Sequence, residues 1–199
     1  MRLASLVLLV GSVLFFAGFA FPAFRGLFEA ETLEEEIAHI EENLSQFRLA
    51  WVLAGAGTSL AGAGLWMWGR GIAQTGDGRS AAAATVAAWL GAVGVPNGVI
   101  RAAVPFGSAS TAADPGFWLA EFPFSIYLLG TTISMVILGW LIIRGKMPTW
   151  LGVVLILCGI AGLGTFLPLF WYAGGIVAGV AGLRLFSAQQ TAESPAAAS

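Results

Sequence analysis

Val95-Pro96-Asn97-Gly98-Val99-Ile100-Arg101 and, after a loop of small and polar residues, Phe117-Trp118-Leu119-Ala120-Glu121-Phe122 set an arginine and a glutamate in runs otherwise apolar enough for lipid. Charges in such surroundings need a reason, and the rest of the chain can be placed around these two runs. Their surroundings favour lipid. Of 199 residues, 58% are hydrophobic and 10% charged, with a mean hydropathy of +0.85, whereas an average soluble domain is about 25% charged. At about 20 residues per span the chain has room for about six membrane helices. The expected fold is all-α: a polytopic membrane helical bundle of six transmembrane helices plus one amphipathic surface helix.

Outward from that hairpin, the third span covers residues 81–104, and Pro96 flanked by Gly94 and Gly98 predicts a kink in it. The fourth covers 117–143, the fifth 149–166 and the sixth 168–186. Residues 3–24 are nearly all apolar between Arg2 and Arg25. They exceed the 7 to 15 residues of a signal-peptide core, so a retained first helix is expected. The second span, 49–68, carries Ala54-Gly55-Ala56-Gly57 and Ala61-Gly62-Ala63-Gly64, small residues that allow close helix approach. A polar turn is expected over 70–80. Residues 1–187 form one membrane domain, and the Ala- and Ser-rich tail 188–199 reads as disordered.

Seven of the eleven acidic residues fall between Glu29 and Glu42. Leu33, Ile37, Ile40, Leu44 and Phe47 recur there at helical spacing, and Thr32 with Glu35 forms a capping box. This predicts an amphipathic surface helix over about 31–47. Its polar face is acidic, so attraction to anionic headgroups is not its purpose.

With the N-terminus inside, Arg2, Arg70, Arg79, Arg144, Lys146 and Arg184 lie on the cytoplasmic side, six of the nine basic residues, and Arg25, Arg48 and Arg101 lie outside. Both termini are then cytoplasmic, and the acidic helix and the opening hairpin are outside. A cell-membrane location follows. The tryptophans Trp66, Trp68, Trp118, Trp150 and Trp171 sit near span ends, as an interfacial belt requires.

Residues 137–153, Ile-Leu-Gly-Trp-Leu-Ile-Ile-Arg-Gly-Lys-Met-Pro-Thr-Trp-Leu-Gly-Val, end one helix in glycine and large apolar residues, turn on basic residues and a proline, and reopen on leucine-glycine. That pattern, within Tyr127 to Phe186, resembles a prokaryotic family of six-helix integral membrane proteins of unknown function. The resemblance implies architecture and carries over no catalytic residue.

Arg101 and Glu121 each lie about one turn inside the outer ends of consecutive antiparallel spans, at similar depth. Asn97 and Ser125 lie one turn deeper, so Asn97, Arg101, Glu121 and Ser125 form the candidate ligand seam. It reads either as an outward-facing vestibule for a solute or ion, or as a latch between two helices. Glu35, His39 and Glu42 are weak metal candidates. Glu36-Ile37-Ala38-His39 has the spacing of a di-metal bundle motif, but such sites need two copies. Gly175, Gly179 and Gly182 form a small-residue stripe for packing within the bundle or against a second copy.

Enzyme chemistry lacks support. The spans hold no histidine, no pair of acids and no cysteine pair, since Cys158 is the single cysteine. No cofactor is expected. The basic residues are scattered singly at a net charge of −2, which leaves no footprint for nucleic acid. Lipid is the expected partner, with a protein subunit or a second copy besides. The leading expectation is a non-enzymatic structural, accessory or partner-binding role, and the alternative is a small-solute or ion permease or receptor that uses the seam.

Overall fold

A computed structural model describes residues 1–22, 31–103, 106, 122–145, 147–164 and 169–193. Among the described residues there are eight α-helices and no strand. Helix α1 is Arg2–Phe19, an apolar run without proline that stops just before Pro22. Helix α2 is Leu33–Glu42. Its Thr32 hydroxyl accepts the Glu35 N–H at 3.2 Å and the Glu35 carboxylate accepts the Glu31 N–H at 2.9 Å. The cap therefore closes one residue earlier than the standard box.

Asn43, at φ −114° and ψ 23°, ends α2 and starts α3, Leu44–Thr75. Its side-chain amide donates to the His39 carbonyl at 3.0 Å, which fixes the break. The amphipathic element is thus shorter than the expected 31–47, and Leu44 and Phe47 belong to α3. At 32 residues α3 is about 48 Å long. It runs through Arg70 to Thr75, where nothing breaks a helix, so the expected polar turn contracts to Gly76 and Asp77. The Asp77 carboxylate then accepts the Ser80 N–H at 2.9 Å and opens the next helix.

That span is two helices, α4 (Gly78–Ala92) and α5 (Gly94–Ala103), joined at Val93. Pro96 has no N–H to give, and its ring crowds the Ala92 carbonyl, so the break falls one turn before the proline. The hydrogen bonds across it are long, with Val93 N–H to Leu90 O and Asn97 N–H to Val93 O both 3.4 Å. The Ser59 hydroxyl of α3 donates to the Val95 carbonyl at 3.0 Å and holds the restart in place. Helices α6 (Phe122–Arg144), α7 (Thr149–Gly164) and α8 (Leu169–Glu193) complete the chain. Helix α8 continues six residues beyond residue 187, into the segment expected to be a disordered tail.

Four helices are long and apolar enough to cross a membrane by length and composition: Arg2–Phe19, Leu44–Thr75, Gly78–Ala103 and Ser125–Arg144. Thr149–Gly164 and Leu169–Leu185 are apolar but shorter. Consecutive long elements pack side by side, and α8 returns to pack on α1, so the helices close a ring: α1, α3, α4 with α5, α6, α7, α8. Each contact is antiparallel. Gly11 lies against Ala61 while Gly18 lies against Ala50; Gly69 meets Ala84 while Gly55 meets Gly98; Gly162 meets Trp171 while Gly174 meets Cys158.

The ring buries a set of polar side chains among apolar ones such as Phe15, Leu138 and Leu155, and its outer surface is apolar. Ser5, Ser12, Thr58, Asn97, Arg101, Thr131, Thr132 and Ser134 are buried, whereas Leu6, Val13, Trp89, Val99, Leu157 and Ile160 are exposed. Water would favour the reverse. The interior hydroxyls tie neighbours together: Ser134 donates to the Ala87 carbonyl at 2.8 Å and Thr132 to the Gly159 carbonyl at 3.3 Å. Two tryptophans expected in the interfacial belt are interior. Trp68 and Trp171 are buried, and their indole N–H groups bond the Ser5 hydroxyl at 3.1 Å and the Gly159 carbonyl at 3.0 Å. Those bonds satisfy the one polar atom that would otherwise draw an indole to the interface. Trp66 and Trp150 are exposed, as a belt position requires.

Candidate functional site

The polar layer of the ring lies at the level of Thr58 on α3. Tyr172 of α8 stacks on Phe15 of α1, with ring centres 3.6 Å apart, and this fixes its hydroxyl toward the centre. That hydroxyl lies 2.6 Å from the Thr58 hydroxyl and 2.6 Å from the Tyr127 hydroxyl of α6. Proton counting sets the direction of the chain. Thr58 has one hydroxyl hydrogen, which it gives to the Ala54 carbonyl at 2.9 Å, so it can only accept from Tyr172. Tyr172 must then accept from Tyr127. The chain therefore runs Tyr127 to Tyr172 to Thr58 to Ala54 O, and it joins α3, α6 and α8 through three buried side chains.

The seam expected from the sequence is only partly assembled here. Asn97 and Arg101 share the inner face of α5, with 5% and 8% of their surface exposed. Gly94 and Gly98 on the same face bring α5 against Gly62 and Gly55 of α3. The Arg101 guanidinium sits 5.6 Å from the centre of the Tyr127 ring, a cation–π arrangement that places positive charge over the start of the hydroxyl chain. The Asn97 side-chain nitrogen is buried without a hydrogen-bond partner among the described residues. Ser125 is exposed on α6 and is not part of this cluster; Tyr127, about 200° further round the helix, takes the inward position. Glu121 lies outside the described residues.

Next to the chain is a cavity of about 20 Å³, room for one water molecule. Ser12, Thr58, Tyr127, Thr131 and Tyr172 supply its polar wall and Gly175 part of its floor. The three packing glycines of α8 all face α1. Gly175 and Gly182 sit against the Ser12 and Ser5 hydroxyls, and a Cβ on Gly179 would lie 2.9 Å from the Ser5 carbonyl oxygen.

On α2, Glu35, His39 and Glu42 do not converge. No group of three metal-binding side chains forms among the described residues, and the Glu35 carboxylate is engaged at the Glu31 N–H. Partial burial of Glu36 on the same helix pushes its carboxyl above the usual range.

Sequence reasoning followed charges and so passed over Tyr127, Tyr172, Thr58 and Ser12. One signal was present. The chain has two tyrosines, both in apolar spans, and a phenol hydroxyl in lipid requires a partner. Compared with family models, curated proteins and solved structures, the chain matches none.

Proposed function

We propose that the chain is a multi-pass protein of the cell membrane in which all six apolar helices cross the bilayer, with a non-enzymatic structural or accessory role. The polar layer locks the ring, and the acidic helix α2 docks a protein partner on the outer side. The observation that carries this reading is the interior. Its cavity admits one water molecule, and the hydroxyls beside it bond each other and the Ala54 carbonyl. Groups committed to one another in this way hold helices together. The apolar exterior and the resemblance of Tyr127 to Phe186 to a six-helix family support six spans, and the basic residues near one end of the ring support cytoplasmic termini.

Purification of the tagged full-length protein from its native membrane tests the docking role. Deleting Glu31 to Gln46 should release a co-purifying subunit while the remaining helices stay folded; the same solitary protein before and after deletion overturns it.

A second reading, a small-solute or ion permease or receptor using Asn97, Arg101, Glu121 and Ser125, draws on the buried Asn97 nitrogen and the break at Val93, which would let α5 move. Under that reading Arg101→Ala abolishes uptake or binding at normal expression. An equal loss of folded protein supports the lock.

A further inference from the structure

The Ser12 hydroxyl lines the same cavity as the hydroxyl chain but is not bonded to it. Ser12 is 0% exposed and its oxygen has no hydrogen-bond partner among the described residues. A serine inside a helix ordinarily returns its hydroxyl to the carbonyl four residues back, as Thr58 and Thr85 do here at 2.9 Å and 2.8 Å. Ser12 is instead turned across the helix boundary at Gly175, where only the absence of a Cβ leaves space for it. Both residues line the cavity. Its wall carries the hydroxyl side chains of Thr58, Tyr127, Thr131 and Tyr172. Cavities that stay dry are apolar, whereas a polar one of at least about 10–15 Å³ with two or more partners takes up water.

We propose that this cavity is a binding site for a single water molecule that joins Ser12 to the hydroxyl chain and so brings α1 into a lock otherwise made by α3, α6 and α8. The hydrogen count requires a ligand of this kind. Thr58, Tyr172 and Tyr127 have given their hydrogens along the chain, so their remaining lone pairs can only accept. Ser12 can donate to the water oxygen, and the water returns a hydrogen to a lone pair of Tyr172 or Thr58. An anion would face the lone pairs of three acceptors. Gly175 serves the site by making room for the Ser12 hydroxyl, which a Cβ there would displace from the cavity wall. The site does not depend on whether α2 docks a partner.

Thermal unfolding of the purified full-length protein separates the cases by sign. With the water in place, Ser12→Ala removes one of its anchors and lowers Tm by about 2–4 °C. A dry cavity would make Ser12 an orphaned hydroxyl whose removal raises Tm, and a hydroxyl bonded to its own helix would leave Tm unchanged; either result overturns the proposal. A double-mutant cycle of Ser12→Ala with Tyr172→Phe, or with Thr58→Val if the tyrosine variant does not fold, should show coupling, since both residues hold the same water. Additive shifts overturn it. A high-resolution map with density within hydrogen-bonding distance of both Ser12 Oγ and the chain supports the site directly, and an empty cavity in that map refutes it.

Discussion

Helix α1 is held to α3 by backbone and to the polar layer by side chains, and the two seams obey different rules. Along α1 and α3, Gly11, Gly18, Gly57 and Gly64 let main chains touch; a Cβ at Gly57 would lie 2.7 Å from the Gly11 carbonyl oxygen, and one at Gly64 would lie 2.7 Å from Leu8 Cα. Among Thr58, Tyr127 and Tyr172 no backbones meet, and contact is a directional chain of hydroxyls. Lipid is as apolar as leucine, so helices gain nothing by hiding apolar area from it. They associate through close packing and hydrogen bonds, and these two seams each lean on one of them. Close packing tolerates no added atom. A hydroxyl chain tolerates a change of shape but not of hydrogen count.

The largest effect should come from breaking the backbone seam. Gly57→Leu forces α1 away from α3 because the obstructing atoms are main chain and cannot rotate aside. The cost should exceed the about 1–3 kcal/mol usual for overpacking, read as loss of the monodisperse peak in size-exclusion chromatography. Tyr172→Phe comes next. It removes the middle of the hydroxyl chain, both the acceptor facing Tyr127 and the donor to Thr58, for about 1–3 kcal/mol, measured by thermal or denaturant unfolding. Tyr127→Phe should cost less, about 0.5–1.5 kcal/mol, because it removes a donor and leaves only an acceptor short. Equal effects of the two tyrosine variants would contradict the direction assigned to the chain.

The smallest effect serves as a control outside both seams. Asp77→Ala removes the cap of α4 in an exposed turn and should lower Tm slightly. Hydrogen bonds from Ser80, the side chain first and then the backbone, hold the Asp77 carboxyl below its ordinary 3.8. A depressed folded-state pKa contributes stability that is present above the unfolded value and lost as pH falls through the lower folded value. The difference between wild type and Asp77→Ala should therefore be constant from about pH 5 to pH 8 and vanish in stronger acid, as followed by Tm against pH.

The backbone seam was the more legible of the two. Gly and Ala at close spacing in residues 54–64, and Gly175, Gly179 and Gly182, mark packing faces from the sequence alone, because small residues at helical spacing let membrane helices approach closely. Helix existence was legible for the same reason: long apolar runs have few alternatives. Boundaries were less so, since α3 runs on to Thr75 past Arg70 and Gly71, where the apolar pattern had already ended. The hydroxyl chain was least visible. Thr58 reads as one small residue among many, Tyr127 and Tyr172 read as aromatic bulk, and their meeting depends on α8 closing on α1 and α6, a relation no local pattern encodes. Charges were easiest to see and informed least. Arg101 does lie in the interior, yet Ser125, grouped with it by depth, lies on the outer face, because equal depth on two helices says nothing about rotation.

The hydroxyl chain and the cavity beside it depend on ring closure, the packing of α8 on α1. A Cβ on Gly175 would lie 3.4 Å from Ser12 Cβ, close to the about 3.5–4.5 Å of a disulfide. With Cys158→Ala as background, Ser12→Cys combined with Gly175→Cys should oxidise to an intramolecular crosslink in native membranes, seen as a reducible mobility shift of the monomer. No crosslink, or only a crosslinked dimer, would place α8 elsewhere and contradict the closed ring.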